Sequence, residues 1–387
     1  MHHANHFYGH AHIMARYVGL EHPPRIWGYL QHGWNMHDGF AVGTVFTPQY
    51  PKLVWSEACA RRGWAAGLRN YMVVAAPWLY LLELERQKEW LATAPPRTGT
   101  IVYPFHGWEG QQVLGSHTEY IEEVKEAEGD VPITVCLHWN EFDNPKVRRQ
   151  YEDAGVRVVT HGQRGYLWQD TDVAFLYRQL HEMRQHKRVV SNRMSSAILY
   201  AASAGVEVGI YGDPMALESD HAVLGGVGKP RRIWPEMHQF SVPMDYAAQV
   251  ANRELGADEL LSPAEVIDAF GWAPEIAAPG TPPPAPPLDE EPSALARRRR
   301  RQHRAESHRA PGAGEPSDIA ISIDATVDEE DQAVDEAEGQ GADPAARAAS
   351  RTDRSTEQPR AADPAPTAPP SDAAQDPALD PALQEQD

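Results

Sequence analysis

Residues 188–213 read RVVSNRMSSAILYAASAGVEVGIYGD, which divides into strand, turn, helix and strand. Residues 188–191 are a short β-branched run. Ser195 and Ser196 are good N-cap residues in front of 197–204, a run of helix formers. Gly205 is placed to end that helix in a left-handed conformation. Residues 206–211 then read as a buried strand, closed by Gly212-Asp213-Pro214.

A helix start leaves unpaired N–H groups and a partial positive charge. Together with the hydroxyls of Ser195 and Ser196, those groups can hold a phosphate. In an open α/β sheet this spot lies beyond the carboxyl ends of the strands, where ligands bind. Gly212, at the end of the following strand, is grouped with the two serines as a donor-side residue. An ordinary capped helix without a ligand accounts for the same local pattern.

Upstream, the alternation continues. Residues 100–105, 132–137 and 156–160 read as strands. Residues 118–128, 144–154 and 172–183 read as helices, with Pro145 at a first helical position. Strands alternating with helices imply an α/β chain with a parallel, doubly wound sheet. A histidine follows each strand, at His106, His138 and His161. A parallel sheet brings its strand ends to one edge, so these three are expected to converge on a crevice and contact a bound phosphate. Any one of them alone reads as structural.

Downstream, 225–229 (GGVGK) is glycine-rich but lacks Walker spacing, and reads as a mobile loop. Glu236 is placed to accept hydrogen bonds from a ribose, or to cap its own turn. Helices are expected over 243–255 and 264–270, the second opened by the capping box of Ser262 and Glu265.

The first part of the chain is less regular. Residues 26–30, 52–56 and 70–76 read as strands, and 57–67 and 78–91 as helices. The proline-rich stretch 94–99 marks a boundary. Residues 31–35 (QHGWN) form a polar, glycine-containing loop at a strand's carboxyl end. There His32 can orient a substrate or act as a base, and Asp38 can supply a carboxylate base. A structural turn is the alternative. His6, His10 and His12 can share a local face, and His6 and His10 have the i, i+4 spacing of metal ligands, but no glutamate lies between them, so a metal-dependent hydrolase is a distant reading and no metal is expected.

The chain has 387 residues, with 35 Lys and Arg against 55 Asp and Glu, for a net charge of −20. That balance argues against nucleic acid as a partner. Cys59 and Cys136 sit in apolar settings and read as buried reduced thiols, as in a cytoplasm. No secretory signal pattern and no membrane-spanning run is visible, since 72–82 is short and contains Pro77. A cytoplasmic protein is expected, meeting any lipid-linked substrate peripherally at the inner face of the membrane. The expected organisation is an acceptor-side half over 1–95, a nucleotide-side half over 96–273 and a disordered tail over 274–387. Arg297 to Arg301 form a basic block in that tail, either a contact for anionic lipid, RNA or an acidic partner or a solvated charge run.

The paired halves, the 31–35 loop and above all residues 191–212 resemble GT-B glycosyltransferases of the bacterial capsule and cell-envelope type, near the polysialyltransferase-like and glycerophosphotransferase-like enzymes. The resemblance covers roughly residues 20–272 and implies two Rossmann-like halves, the first of them short. It implies that Ser195-Ser196 binds the donor's phosphate. Of the acidic-acidic-Gly motif that supplies a base in the sialyltransferase-like enzymes, His37-Asp38-Gly39 is a partial match. Their His-Pro motif has no counterpart, since His22-Pro23 lies in the other half and His106, His138 and His161 lack the proline. The implied activity is sugar transfer from a nucleotide-activated donor to a cell-surface polysaccharide or glycolipid, with the nucleotide sugar as co-substrate and no cofactor. A GT-B-like sugar-nucleotide epimerase and a non-catalytic binding or scaffold protein remain as alternatives.

Overall fold

In the computed structural model the chain separates into two units, Met1–Asp324 and Ala325–Asp387. The structure describes residues 3–41, 44–86, 96–107, 113–165, 171–218 and 226–288, all in the first unit. The tail from 289 onward, its block from Arg297 to Arg301, Gly225 and residues 94–95 of the boundary lie outside the described residues.

The first half consists of α1 (His10–Tyr17), β1 (Tyr29–Leu30), β2 (Lys52–Val54), α2 (Glu57–Ala65), β3 (Tyr71–Val73) and α3 (Pro77–Arg86). Its three strands form a parallel sheet in the order β1-β2-β3. The second half opens with β4 (Thr100–Val102), β5 (Val113–Leu114), α4 (His117–Glu128), β6 (Ile133–Cys136), α5 (Trp139–Asp143), α6 (Pro145–Asp153) and β7 (Arg157–Val159). It continues with α7 (Phe175–Gln185), β8 (Arg188–Ser191), α8 (Ser196–Ser203), β9 (Glu207–Ile210) and β10 (Ala216–Leu217). After these come α9 (Gly228–Ile233), α10 (Met244–Leu255) and α11 (Pro263–Ala269).

The second sheet is parallel throughout, in the order β7-β6-β4-β8-β9. That is the doubly wound arrangement, with the strand order reversing between β4 and β8. The chain is therefore α/β with two Rossmann-like halves, the first of them short. β5 and β10 pair antiparallel as a separate ribbon.

The local signals hold where side chains and backbone agree. Ser195 is the extended N-cap of α8, and Gly205 beyond its end has φ +68°. Asn144 caps α6 through the Lys146 amide, with Pro145 at the first turn. Ser262 and Glu265 form the reciprocal capping box of α11.

Helix α8 is buried from Ala197 to Ala202 and lies at the centre of one continuous core. On one side it follows β8 and β9. On the other, its alanines face Ala247 and Ala251 of α10, and small side chains let two helices approach closely. Tyr200 stacks on Trp78 of α3 at 4.4 Å and 9°, and the Trp78 indole donates to Ser203 at 3.0 Å. The two halves thus share their apolar interior.

Several elements differ from the sequence reading. The expected strand over 26–30 keeps only Tyr29–Leu30, because the Trp27 amide donates to the Phe270 carbonyl at 3.1 Å. The strand over 70–76 ends at Val73, since Ala75 is left-handed and the Ala76 amide bonds Leu255. α9 begins inside the supposed glycine loop, and α5 was not foreseen. The segment after 255 crosses back onto the first half, where the Leu261 amide donates to Tyr80. Residues 274–288, read as the start of the tail, pack there too. The Gly280 amide donates to Val18 at 2.9 Å, and Ile276, Ala285 and Leu288 cover the core.

Candidate functional site

The reversal of strand order puts a crevice beyond the carboxyl ends of β4 and β8. Their loops are tied together there. The Phe105 amide donates to Asn192 Oδ1 at 2.7 Å, and the Asn192 amide nitrogen donates to the Asp213 carbonyl at 2.8 Å. The Arg193 guanidinium lies 3.7 Å over the Phe105 ring and donates to the carbonyls of Pro214 and Met215.

At the mouth of α8 the two serines have different fates. The Ser195 hydroxyl is buried and has no hydrogen-bond partner. Ser196 Oγ accepts the Trp34 amide at 3.0 Å, so the 31–35 loop of the first half reaches the helix start. The expected open mouth with two free hydroxyls is therefore half taken by protein backbone.

That loop is held from several sides. Gln31 accepts the Trp55 amide at 2.9 Å and donates to the Gly33 carbonyl at 2.8 Å. The Trp34 indole donates to Glu254 at 2.7 Å, and Glu254 pairs with Arg62 at 2.8 Å. Arg62 also donates to the His37 carbonyl, and Lys229 to that of Met36. Gly39, at φ +87°, must lack a side chain because a Cβ there would meet the Gln31 amide.

His32 lies at the carboxyl end of β1, edge-on to Phe7 at 5.2 Å. The Arg164 guanidinium covers that Phe7 ring at 4.4 Å, and the same cation helps keep His138 uncharged.

The three strand-end histidines divide. His106 and His138 stack at 4.2 Å and 12°, with Glu141 beside them, its Oε1 accepting the Gly107 amide at 2.9 Å. Burial, reinforced by His106, pushes His138 down to about 4. Burial opposes ionisation of Glu141, but the His138 and His106 imidazoles outweigh it and its carboxyl lies below the ordinary range. His161 belongs to the interior: its Nε2 is 2.9 Å from the Tyr103 hydroxyl and its carbonyl accepts Arg178. Burial pushes it down to about 3. Of the three, the structure brings His106 and His138 together and leaves His161 apart.

The remaining candidates lie away from this cluster. Asp38 is 3% exposed, and its oxygens take the Tyr71 hydroxyl at 2.9 Å, the Phe40 amide at 3.3 Å and the His37 ring at 3.0 Å. It clasps its loop rather than facing the crevice. Gly212, at φ +89°, is required by α4, since a Cβ would lie 2.7 Å from the Tyr120 ring and 3.0 Å from Glu123. Glu236 is exposed and accepts the Tyr246 hydroxyl at 3.1 Å. The N-terminal histidines do not share one helix: the backbone breaks at Phe7 and Tyr8, and α1 begins at His10.

Sequence reasoning missed Glu141, Arg164 and Asn192. Asn192 was findable as the polar residue next after a strand at the switch point. Glu141 and Arg164 carried no comparable local signal.

No protein-family model matches the chain, and no curated protein does either. Among solved structures it is similar to the wall teichoic acid polymerase TagF, at 11% identity over 73% of this chain and 69% of that one, with a TM-score of 0.32. It is also similar to the UDP-GlcNAc 2-epimerase of Methanocaldococcus jannaschii in complex with UDP-GlcNAc and UDP, at 11% identity over 68% and 61%, with a TM-score of 0.29. The UDP-GlcNAc 2-epimerase of Neisseria meningitidis bound to UDP-GlcNAc matches at 13% identity over 57% and 58%, with a TM-score of 0.26. The chain spans about six-tenths of the length of these epimerases.

Proposed function

We propose that the chain is a glycosyltransferase that takes a sugar from a nucleotide-activated donor and passes it to a cell-surface polysaccharide or glycolipid acceptor. The observation that carries this reading is the buried, unpartnered Ser195 hydroxyl at the start of α8, beside the strand-order reversal. A buried polar atom without a partner is uncommon, and a donor phosphate oxygen supplies one. The α8 dipole and the serine hydroxyl stabilise the charge that develops on the leaving nucleotide phosphate.

Acceptor activation falls to His32. The support is its place on the first-half loop whose Trp34 amide reaches Ser196 at the start of α8. Asp38 is the weaker base, because its oxygens are engaged in its own loop. Among the described residues no helix is long and apolar enough to cross a membrane. A lipid-linked acceptor is then met at the membrane surface.

A sugar-nucleotide epimerase is the second reading, favoured by the imidazole–carboxylate pair of His138 and Glu141 at the same edge, 3.6 Å apart. Conversion of a nucleotide sugar with no acceptor present selects it over transfer.

The test is a thermal-shift panel of UDP-, GDP-, CDP-, dTDP- and CMP-sugars. One family of nucleotides raises the melting temperature of the full chain. Ser195→Ala removes the shift while leaving the unliganded protein as stable as before, because that hydroxyl makes no capping hydrogen bond. His32→Asn keeps the shift and stops turnover. A panel with no shift at all overturns the reading.

A further inference from the structure

We propose that His106, His138 and Glu141 form a binding site for one divalent transition-metal ion of the zinc class. Their ligand atoms all lie within 4.8 Å of one another. Two imidazoles and a carboxylate are the mixed nitrogen and oxygen donors that such ions take, and three protein ligands leave a fourth position for water or a substrate oxygen.

The surroundings prepare each ligand. His106 Nδ1 is 2.8 Å from the Gly107 carbonyl. A carbonyl only accepts, so Nδ1 carries the proton and the Nε2 lone pair is left for a cation. Glu141 is divided in the same way. Its Oε1 accepts the Gly107 amide at 2.9 Å, which fixes the carboxylate, and its Oε2 is buried without a hydrogen-bond partner.

His138 supplies the independent observation. Its side chain is 6% exposed, and both ring nitrogens are buried without a hydrogen-bond partner. Glu141 Oε2 lies 3.6 Å from its Nδ1, beyond hydrogen-bond reach. A buried imidazole and a buried carboxylate oxygen 3.6 Å apart with no hydrogen bond to either are unusual, and one cation between them satisfies both. Ligand atoms around a zinc ion sit about 3.4 Å apart, since each is about 2.1 Å from the metal. Binding therefore draws the three ligand atoms in from their present spread of up to 4.8 Å, with His106 the exposed member that shifts. Its place is structurally adjacent to the crevice, because Phe105 beside it is bonded to Asn192. The site stands whether or not the chain transfers a sugar.

The experiment uses the full chain without an added histidine tag, stripped with chelator and titrated with zinc chloride by calorimetry. Cobalt substitution, read in the visible spectrum, reports the coordination. One equivalent binds, with the intense d–d bands of a four-coordinate site. His106→Ala and Glu141→Gln, each with an unchanged circular-dichroism spectrum, weaken binding by about tenfold or more, the scale on which altered metal sites lose affinity. His6→Ala with His12→Ala leaves it intact. No saturable binding overturns the proposal, as does binding that survives both site variants or disappears in the N-terminal one.

Discussion

Glu254 is 1% exposed and holds two partners from different parts of the first half, Arg62 at 2.8 Å and the Trp34 indole at 2.7 Å. Removing one member of a buried pair leaves the other charge uncompensated. Glu254→Ala therefore costs about 3 kcal/mol of stability, read by denaturant unfolding. It also frees the 31–35 loop from α10, so under the proposed function it weakens nucleotide binding as well. His10 and His161 contribute to the molecule's acid sensitivity, as does His138, which burial pushes down to about 4. Burial pushes His10 and His161 each from 6.5 down to about 3, so both are neutral in the fold. Once the pH falls below 6.5 the unfolded chain binds protons that the folded one refuses. Each group then removes about 1.4 kcal/mol per pH unit until its folded value is reached. Stability measured between pH 7 and pH 4 therefore declines on the acid side, and His161→Asn reduces that slope. The sequence marked His161 as one of three equivalent residues. Its hydrogen bond to Tyr103 separates it from His106 and His138, which stack on each other.

At the scale of elements, the unit from β8 to β9 was readable because its information is local. β-branched residues, serines at a helix start, a run of helix formers and a glycine stop occupy consecutive positions. The short strands of the first half were overread for the opposite reason. Their flanking amides bond Leu255 of α10 and Phe270 just beyond α11, which are distant in sequence. Gly212 shows how one residue reads differently at this scale. Its position after β9 suggested a ligand, while its left-handed backbone and the α4 wall explain why it is glycine. Gly212→Ala costs roughly 1–3 kcal/mol, since it places a Cβ against Tyr120 at positive φ. Chemical denaturation detects that loss, and an unchanged midpoint refutes the packing account.

For the molecule as a whole, the shared core around α8 makes the two halves one cooperative structure within the described residues. Ala197, Ile198 and Tyr200 pack in the same cluster as Trp55, Trp78 and Ala251. Fluorescence and circular dichroism should follow a single coincident unfolding transition, and two separated transitions refute the shared core. Residues 274–288 belong to that structure through Ile276, Ala285, Leu288 and the Gly280–Val18 bond. Ending the chain at 273 therefore lowers the melting temperature, whereas a segment serving only as a solvated tail would leave it unchanged. Under the proposed function, any motion that admits a donor acts locally, at the contact of Trp34 with Ser196, because separating the halves would expose the core around Trp78 and Tyr200.

By itself the sequence determined the α/β class, the parallel second sheet, the caps of α6, α8 and α11, and the placing of His32, His106, His138 and Ser195 at strand ends or a helix start. Each depends on periodicity and neighbouring residues, which act over a few positions. Only the tertiary structure decided that Asp38 is a clasp, that His161 is interior, that Glu141 joins the His106–His138 pair and that Ser196 is taken by Trp34. Those outcomes depend on which groups meet across long sequence separations, where burial and pairing outweigh local preference.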